Sequence, residues 1–420
     1  LFHLGSRLGT DLLRRHSPPA IVEETHMTRT WIQSAESVTS GHADKLCDLL
    51  SDSVLDAVLE HDRFARVSCE VMVTTGMVIV TGQITTKCYV DITAVVREAI
   101  RKVGYNDPTT GFDHNSCAVI VMLGEQTHDV SLGVDRKGAG DQGVCVGYAT
   151  NEGDGLPIDT HHMPVPTFLA NVLTHRLEDV RKAGRLPQLH PDGKVQVSVE
   201  YRNHKPRALT HVILSAHHHA DADLVKLRRD LKRLVIKPAL DPSGLLTQDT
   251  QVMINPVGSF TEGGPRADAG LTGRKITVDC YGPSCGHGGS AFSGKDPTKP
   301  DRSGSYGARW AARNLVAAGL ADRCSVEIAY VLGHSQPLSV TVDTFGTGKL
   351  GDDRLATILQ EEFDFSPAGI IEDLDLRRPI YTPTAAFGHF GRPDQDFSWE
   401  RLDRVDRLRP HLKSARKGGK

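Results

Sequence analysis

The chain has 420 residues, 39% of them hydrophobic, and a formal net charge of −3 at pH 7. That length can bury two or three cores. The near-neutral balance, without a basic stripe, excludes nucleic-acid binding by charge alone, and no apolar run approaches the roughly 18 residues of a membrane span. Eight cysteines occur without a CxxC pair; the spacing of Cys280 and Cys285 suits neither zinc nor a redox couple, so all read as reduced thiols of a cytoplasmic protein.

Residues 1–27 read as a disordered tail, with Met27 the expected start; their Arg-containing, acid-poor character leaves a targeting segment open. Leu46, Leu50, Val54 and Val58 lie four apart and predict an amphipathic helix over 44–60. Strands follow at 69–74 and 77–85, then a helix at 91–102. The same order recurs as a helix at 167–182, strands at 195–201 and 208–215 and a helix at 222–236, capped by Asp221 and striped by Leu224, Leu227, Leu231 and Leu234. It recurs again as a helix at 305–318, strands at 325–332 and 338–345 and a helix at 352–363. The clean alternation of Val195, Val197, Val199 and Tyr201 marks one buried sheet face. Apolar strands at 144–149 and 276–281 precede two copies, and 117–123 and 250–255 follow two. A period of about 130 residues is too long for a solenoid. The expectation is therefore α+β: three similar β-α-β-β-α-β domains over 28–127, 138–258 and 259–399, helices on one sheet face, then a basic tail at 400–420. Chance similarity of spacing is the alternative.

The densest chemical signal is Gly286 to Arg302. Gly289 to Lys295 reads G-x-x-x-x-G-K, yet Asp296 stands where a P-loop needs Ser or Thr, and Pro297 and Pro300 argue against the helix a P-loop requires. Glycines still let backbone N–H groups approach an anion. Lys295, Lys299 and Arg302 add positive charge, and Asp296 and Asp301 could hold a divalent cation against phosphate. A polyphosphate site of another design is the reading. Before the first helix, Ser37-Val38-Thr39-Ser40-Gly41-His42-Ala43-Asp44-Lys45 places His42 and Asp44 at a helix N-terminus, which favours anions but is also an ordinary cap pattern. His217-His218-His219 reads as an exposed turn.

These two segments occur in series with Gly138-Ala139-Gly140-Asp141-Gln142-Gly143, Gly147-Tyr148-Ala149-Thr150-Asn151-Glu152 and Gly263 to Lys275. The series resembles the S-adenosylmethionine synthetase (methionine adenosyltransferase) family, from about Trp31 to Phe397. The resemblance implies three α+β domains around a pseudo-threefold axis. It also implies attack of the methionine sulfur on C5′ of ATP, expelling triphosphate that is then cleaved to pyrophosphate and phosphate. It assigns catalytic roles to His42, Lys194, Arg274 and Lys295. It assigns ATP contacts to His42, Asp192, Gly193, Lys194, Ser259, Phe260 (against adenine), Asp268, Arg274, Lys275, Ala291 and Lys295. Methionine falls to Gln83, Gln126, Asp141, Asp268 and Lys299, Mg2+ (two per site) to Asp44 and Asp301, and K+ to Glu70. The partners implied are ATP, L-methionine and further copies of the chain, as a homodimer or tetramer with sites between subunits.

Several positions depart from the family pattern. Gln83 replaces a glutamate that would receive the methionine ammonium, Ser259 an arginine beside adenine, and Glu262 an aliphatic residue. Glu262 is expected either to pair with Arg266 or to lie exposed. Ala43 replaces a proline, Thr127-His128 replaces Ser-Pro, and the lid segment from Gln126 to Gly138 is short. A specialised paralogue using a methionine analogue, a triphosphatase, and a weakly catalytic regulatory subunit are the competing readings.

Overall fold

The computed structural model describes residues 29–126, 138–392 and 394–415, with side chains to 412. The tail expectations before residue 29 and the lid beyond Gln126 lie outside the described residues.

The repeat is real, and its strands are exchanged. The first unit runs β1 (Thr30–Val38), α1 (Ala43–His61), β2 (Arg66–Thr74), β3 (Met77–Thr85), α2 (Ile92–Val103) and β4 (Ala118–Gly124). The second runs β5 (Gly143–Thr150), α3 (Val165–Lys182), β6 (Leu189–Arg202), β7 (Lys205–His218), α4 (Leu224–Leu231) and β8 (Gln251–Ile254). The third runs β9 (Gly270–Leu271), α5 (Pro300–Ala317), β10 (Arg323–Tyr330), β11 (Ser339–Asp343) and α6 (Asp352–Glu362). The sheets are β4-β3-β2-β9, β1-β6-β7-β8 and β11-β10-β5. Each leading strand thus pairs in a neighbouring unit's sheet: β1 in the second, β5 in the third, β9 in the first. This cyclic exchange gives each sheet another unit's strand as an edge and buries backbone donors that an isolated edge would expose.

In each unit the first helix covers one sheet face. Leu46, Leu50, Val54 and Val58 of α1 are fully buried, as is the Val195, Val197, Val199, Tyr201 face of β6. The opposite faces stay open, with Ile32, Ile120 and Met122 among the exposed apolar side chains.

Several expectations are corrected. Residues 276–281 form no strand: Ile276–Asp279 is a single helical turn, and the pairing strand is the two-residue β9. A helix does follow the glycine-rich run, because Pro300 occupies its first turn, where a missing N–H costs nothing. Asp223, not Asp221, caps α4, accepting from the backbone N–H of Val225 and Lys226. His217 and His218 are buried at the end of β7 rather than in an exposed turn. The segment after 400 is packed: buried Glu400 binds Arg309 and Arg313 of α5, each at 2.9 Å, and Trp310 Nε1 donates to Asp403.

Candidate active site

Two cationic centres lie along the β2 side of the first sheet, one beside β9 and the other at Lys295. His42 caps α1 through Nδ1, which accepts from Asp44 N–H at 3.2 Å, so the ring proton sits on Nε2. Burial, then the Lys275 ammonium, hold this imidazole down at about 4, and it is a neutral donor at neutral pH. A 15N titration of the His42 ring, assigned by comparison with His42→Gln, should show the neutral Nε2–H tautomer down to about pH 5. Titration near 6.5 would contradict the closed arrangement.

Asp44, in the next turn, takes Lys275 Nζ at 2.5 Å, the Leu271 N–H at 3.1 Å and Arg274 Nε at 3.5 Å. Burial pushes its carboxyl up, but the hydrogen bonds from Lys275 and Leu271 outweigh it and keep it ionised. The approach of β9 to this turn requires Gly270, since a Cβ there would lie 2.1 Å from the Ala43 carbonyl oxygen. Lys194, on β6, is half-exposed and pairs with Glu36 at 2.7 Å.

The second centre is the start of α5. Lys295 bridges Ser68 of β2 through its backbone, and its Nζ meets Asp301 Oδ2 at 2.6 Å. Ser290 Oγ donates to the other Asp301 oxygen at 2.8 Å. Gly294, at φ +77, lies against β2, where a Cβ would be 1.8 Å from the Cys69 carbonyl oxygen. The two centres meet at Gly273 and Ala291, where a Cβ on the glycine would lie 2.8 Å from Ala291 Cβ.

Asp296 is corrected as a metal ligand. It is fully buried, accepts from Val67 N–H at 2.7 Å and Thr298 N–H at 2.8 Å, and pairs with Lys299 at 3.2 Å. Lys299, expected on the methionine side, is therefore buried against Asp296. Glu70 and Gln83 lie on the open sheet face, Glu70 paired with Thr81 and Gln83 with Ser68, in the same row as the Lys295 bridge. Gln126 donates its N–H to Thr85 Oγ1, while its buried amide oxygen has no partner among the described residues. Asp141 is exposed in the segment that Gly140 ties to the Thr298 carbonyl at 3.0 Å.

A third group surrounds Phe260, whose N–H donates to His218 Nε2 at 2.9 Å. Behind it the rings of Phe260, His217, His190 and His219 follow one another at centroid distances of 5.3, 4.5 and 4.2 Å. Burial foremost holds both His190 and His217 at about 4, so these two rings are neutral. Asp192 accepts from Gly264 N–H at 2.8 Å and, by burial, is raised to about 6. Gly193 is buried, and Ser259 and Asp268 are exposed. Glu262 both pairs with Arg266, at 3.1 Å, and is exposed. Among the described residues, no hydrogen bond or ion pair joins this group or Asp141 to the lysine centres.

Sequence reading gave no role to Lys45, Asp48, Asp52 or Asp279, and took Arg302 as a phosphate-side charge; all five are buried behind the lysine centres. A signal was present in Asp44, Asp48, Asp52 and Asp56, four like charges at helical spacing. A cavity of about 530 Å3 lies elsewhere, on the helical side, lined by Ser40, Asp56, Glu98, Glu178, Phe387 and Arg392. It contains none of the predicted site residues.

Among the described residues, no three or more His, Cys, Asp or Glu side chains gather as a metal cage. Asp44 and Asp301 are instead single carboxylates, each held by a lysine beside a glycine-rich segment. That donor set fits Mg2+ shared with substrate phosphates and water rather than an all-protein site.

The chain is thus an α+β protein of three strand-sharing layers, with aspartate and lysine pairs on adjoining glycine segments. Family models for S-adenosylmethionine synthetase match in series: the N-terminal domain over 30–128, the central domain over 136–260 and the C-terminal domain over 262–401. The S-adenosylmethionine synthase of Desulforudis audaxviator (strain MP104C) is 52% identical over 390 residues, 90% of this chain and 97% of its own. That of Clostridium botulinum (strain Alaska E43 / Type E3) is 48% identical over 393 residues, 90% and 99% respectively. The chain belongs to the S-adenosylmethionine synthetase family.

Proposed function

We propose that the chain forms S-adenosylmethionine from ATP and L-methionine. The observation that carries this reading is the pairing of Asp44 with Lys275 and Asp301 with Lys295 on segments that touch at Gly273 and Ala291. The sulfur lone pair forms the S–C5′ bond as C5′–O5′ breaks, and the electron pair leaves on the triphosphate. Sulfur is already a good nucleophile, so the protein's task is to stabilise charge growing on the leaving group. Lys275, Lys295, Arg274 and Lys194 bind its oxygens, and the His42 Nε2–H donates toward the departing one. Mg2+ held by Asp44 and Asp301 supplies further neutralisation of the phosphates. Phe260, backed by its imidazole stack, takes the adenine; Asp192 and Gly193 shape that arm beside Ser259 and Asp268. Gln83, Gln126, Asp141, Asp268 and Lys299 form the methionine side, with K+ at Glu70.

The active form is a homodimer or tetramer with sites between subunits. Support comes from the open sheet faces, where Met122 is 65% and Ile32 54% exposed. Among the described residues, no helix is long and apolar enough to cross a membrane, and we place the protein in the cytoplasm.

The test is purified protein with ATP, L-methionine, Mg2+ and K+, with mass spectrometry for the sulfonium product and separate assay of phosphate. Matching product, pyrophosphate and phosphate are expected. Phosphate alone would support a triphosphatase or another acceptor, the reading that neutral Gln83 favours. Neither product, from protein that binds ATP, would leave a regulatory subunit.

A further inference from the structure

One face of α1 presents Asp44, Asp48, Asp52 and Asp56. Like charges at this spacing repel within a helix, yet each has a backbone partner beyond residue 270. Asp44 accepts from Leu271 N–H at 3.1 Å, Asp48 from Gly273 N–H at 2.8 Å and Asp52 from Gly294 N–H at 2.8 Å. Asp56 accepts from Tyr381 and Thr382 N–H at 3.0 and 2.7 Å. The helix therefore holds the Arg274-Lys275 segment through Asp44 and Asp48, and the Lys295 segment through Asp52.

Asp52 is the strongest of these contacts. It is fully buried, and both its oxygens take Arg302, at 2.8 and 2.7 Å. The same guanidinium donates to the Lys295 carbonyl at 3.0 Å. One carboxylate thus grips the residue before Lys295, and through Arg302 it grips Lys295 itself and the residue after Asp301. Such planar, bidentate contact fixes direction as well as distance. A buried ion pair is weak evidence for stability, since an apolar pair of similar volume often serves as well. We propose that Asp52 is a positioning residue: with Arg302 it sets the placement of Lys295 relative to Asp301 for polyphosphate binding. The proposal rests on the reading of that pair given above.

The test compares full-length Asp52→Asn and the charge-free double variant Asp52→Leu with Arg302→Met, measuring thermal stability, ATP affinity by calorimetry and steady-state kinetics. Asp52→Asn strands a buried guanidinium and should lose stability. The double variant should recover stability yet show kcat lower by about 100-fold, as expected for misplaced groups, with the methionine KM within about twofold of wild type. A double variant with wild-type kcat and ATP affinity would overturn the positioning role, as would failure of both variants to fold. If wild type itself does not turn over, the functional reading fails. ATP affinity then decides alone: weaker binding by the double variant keeps the positioning role, and equal binding ends it.

Discussion

Lys295→Met should lower kcat for S-adenosylmethionine formation by about 10²–10³-fold, the usual cost of removing one preorganised group that stabilises developing charge. Methionine keeps the apolar stem, so what disappears is the ammonium, now 2.6 Å from Asp301 and 24% exposed at the edge of the first sheet. Because that charge is proposed to face the leaving group rather than the nucleophile, the KM for methionine should stay nearly constant. Asp301 would lose its only ion-pair partner among the described residues, so the Mg2+ concentration for half-maximal rate should also move. Steady-state kinetics across a Mg2+ series checks both, and an unchanged kcat would remove Lys295 from the phosphate site.

Gln83→Glu should lower the KM for methionine about tenfold, since a charge-assisted hydrogen bond exceeds a neutral one by roughly 1 kcal/mol or more. The position admits the change. Gln83 is half-buried on the open face of β3, across from Ser68 and beside Gly124 of β4. No neighbouring strand pairs an acidic residue with it. If KM is unmoved while a methionine analogue becomes a poorer substrate, the native glutamine serves a different amine and the paralogue reading gains. Gln83 and Lys295 both neighbour Ser68 in one row, so a double variant measures the coupling between them.

The segments proposed to handle phosphate were legible as candidates because their signals are local. Lys295 and Asp301 lie six residues apart, His42 and Asp44 two, Arg274 and Lys275 one, and glycines mark where the backbone must come close. The proposed methionine and adenine arms were reached through family resemblance, since Gln83, Asp141 and Phe260 carry no pattern of their own. Phe260 shows what such reading cannot supply: its imidazole backing comes from β6 and β7, and the His217–His219 run looked like an exposed turn. Asp296 failed for a related reason. A carboxylate beside a phosphate loop resembles a ligand until its burial against Val67 and Lys299 is known.

Hydrophobic period and punctuation carried the secondary structure, the threefold repeat and the α+β class, because helices and strands bury faces at spacings written in neighbouring residues. Only the tertiary structure decided that each unit's leading strand joins another sheet, that Ile276–Asp279 is a helical turn, and that four aspartates of α1 clasp a segment more than 200 residues away. Strand exchange and backbone capping depend on which edge or N–H is left unpaired once all three units close together. That accounting exists in the folded chain and has no local spelling.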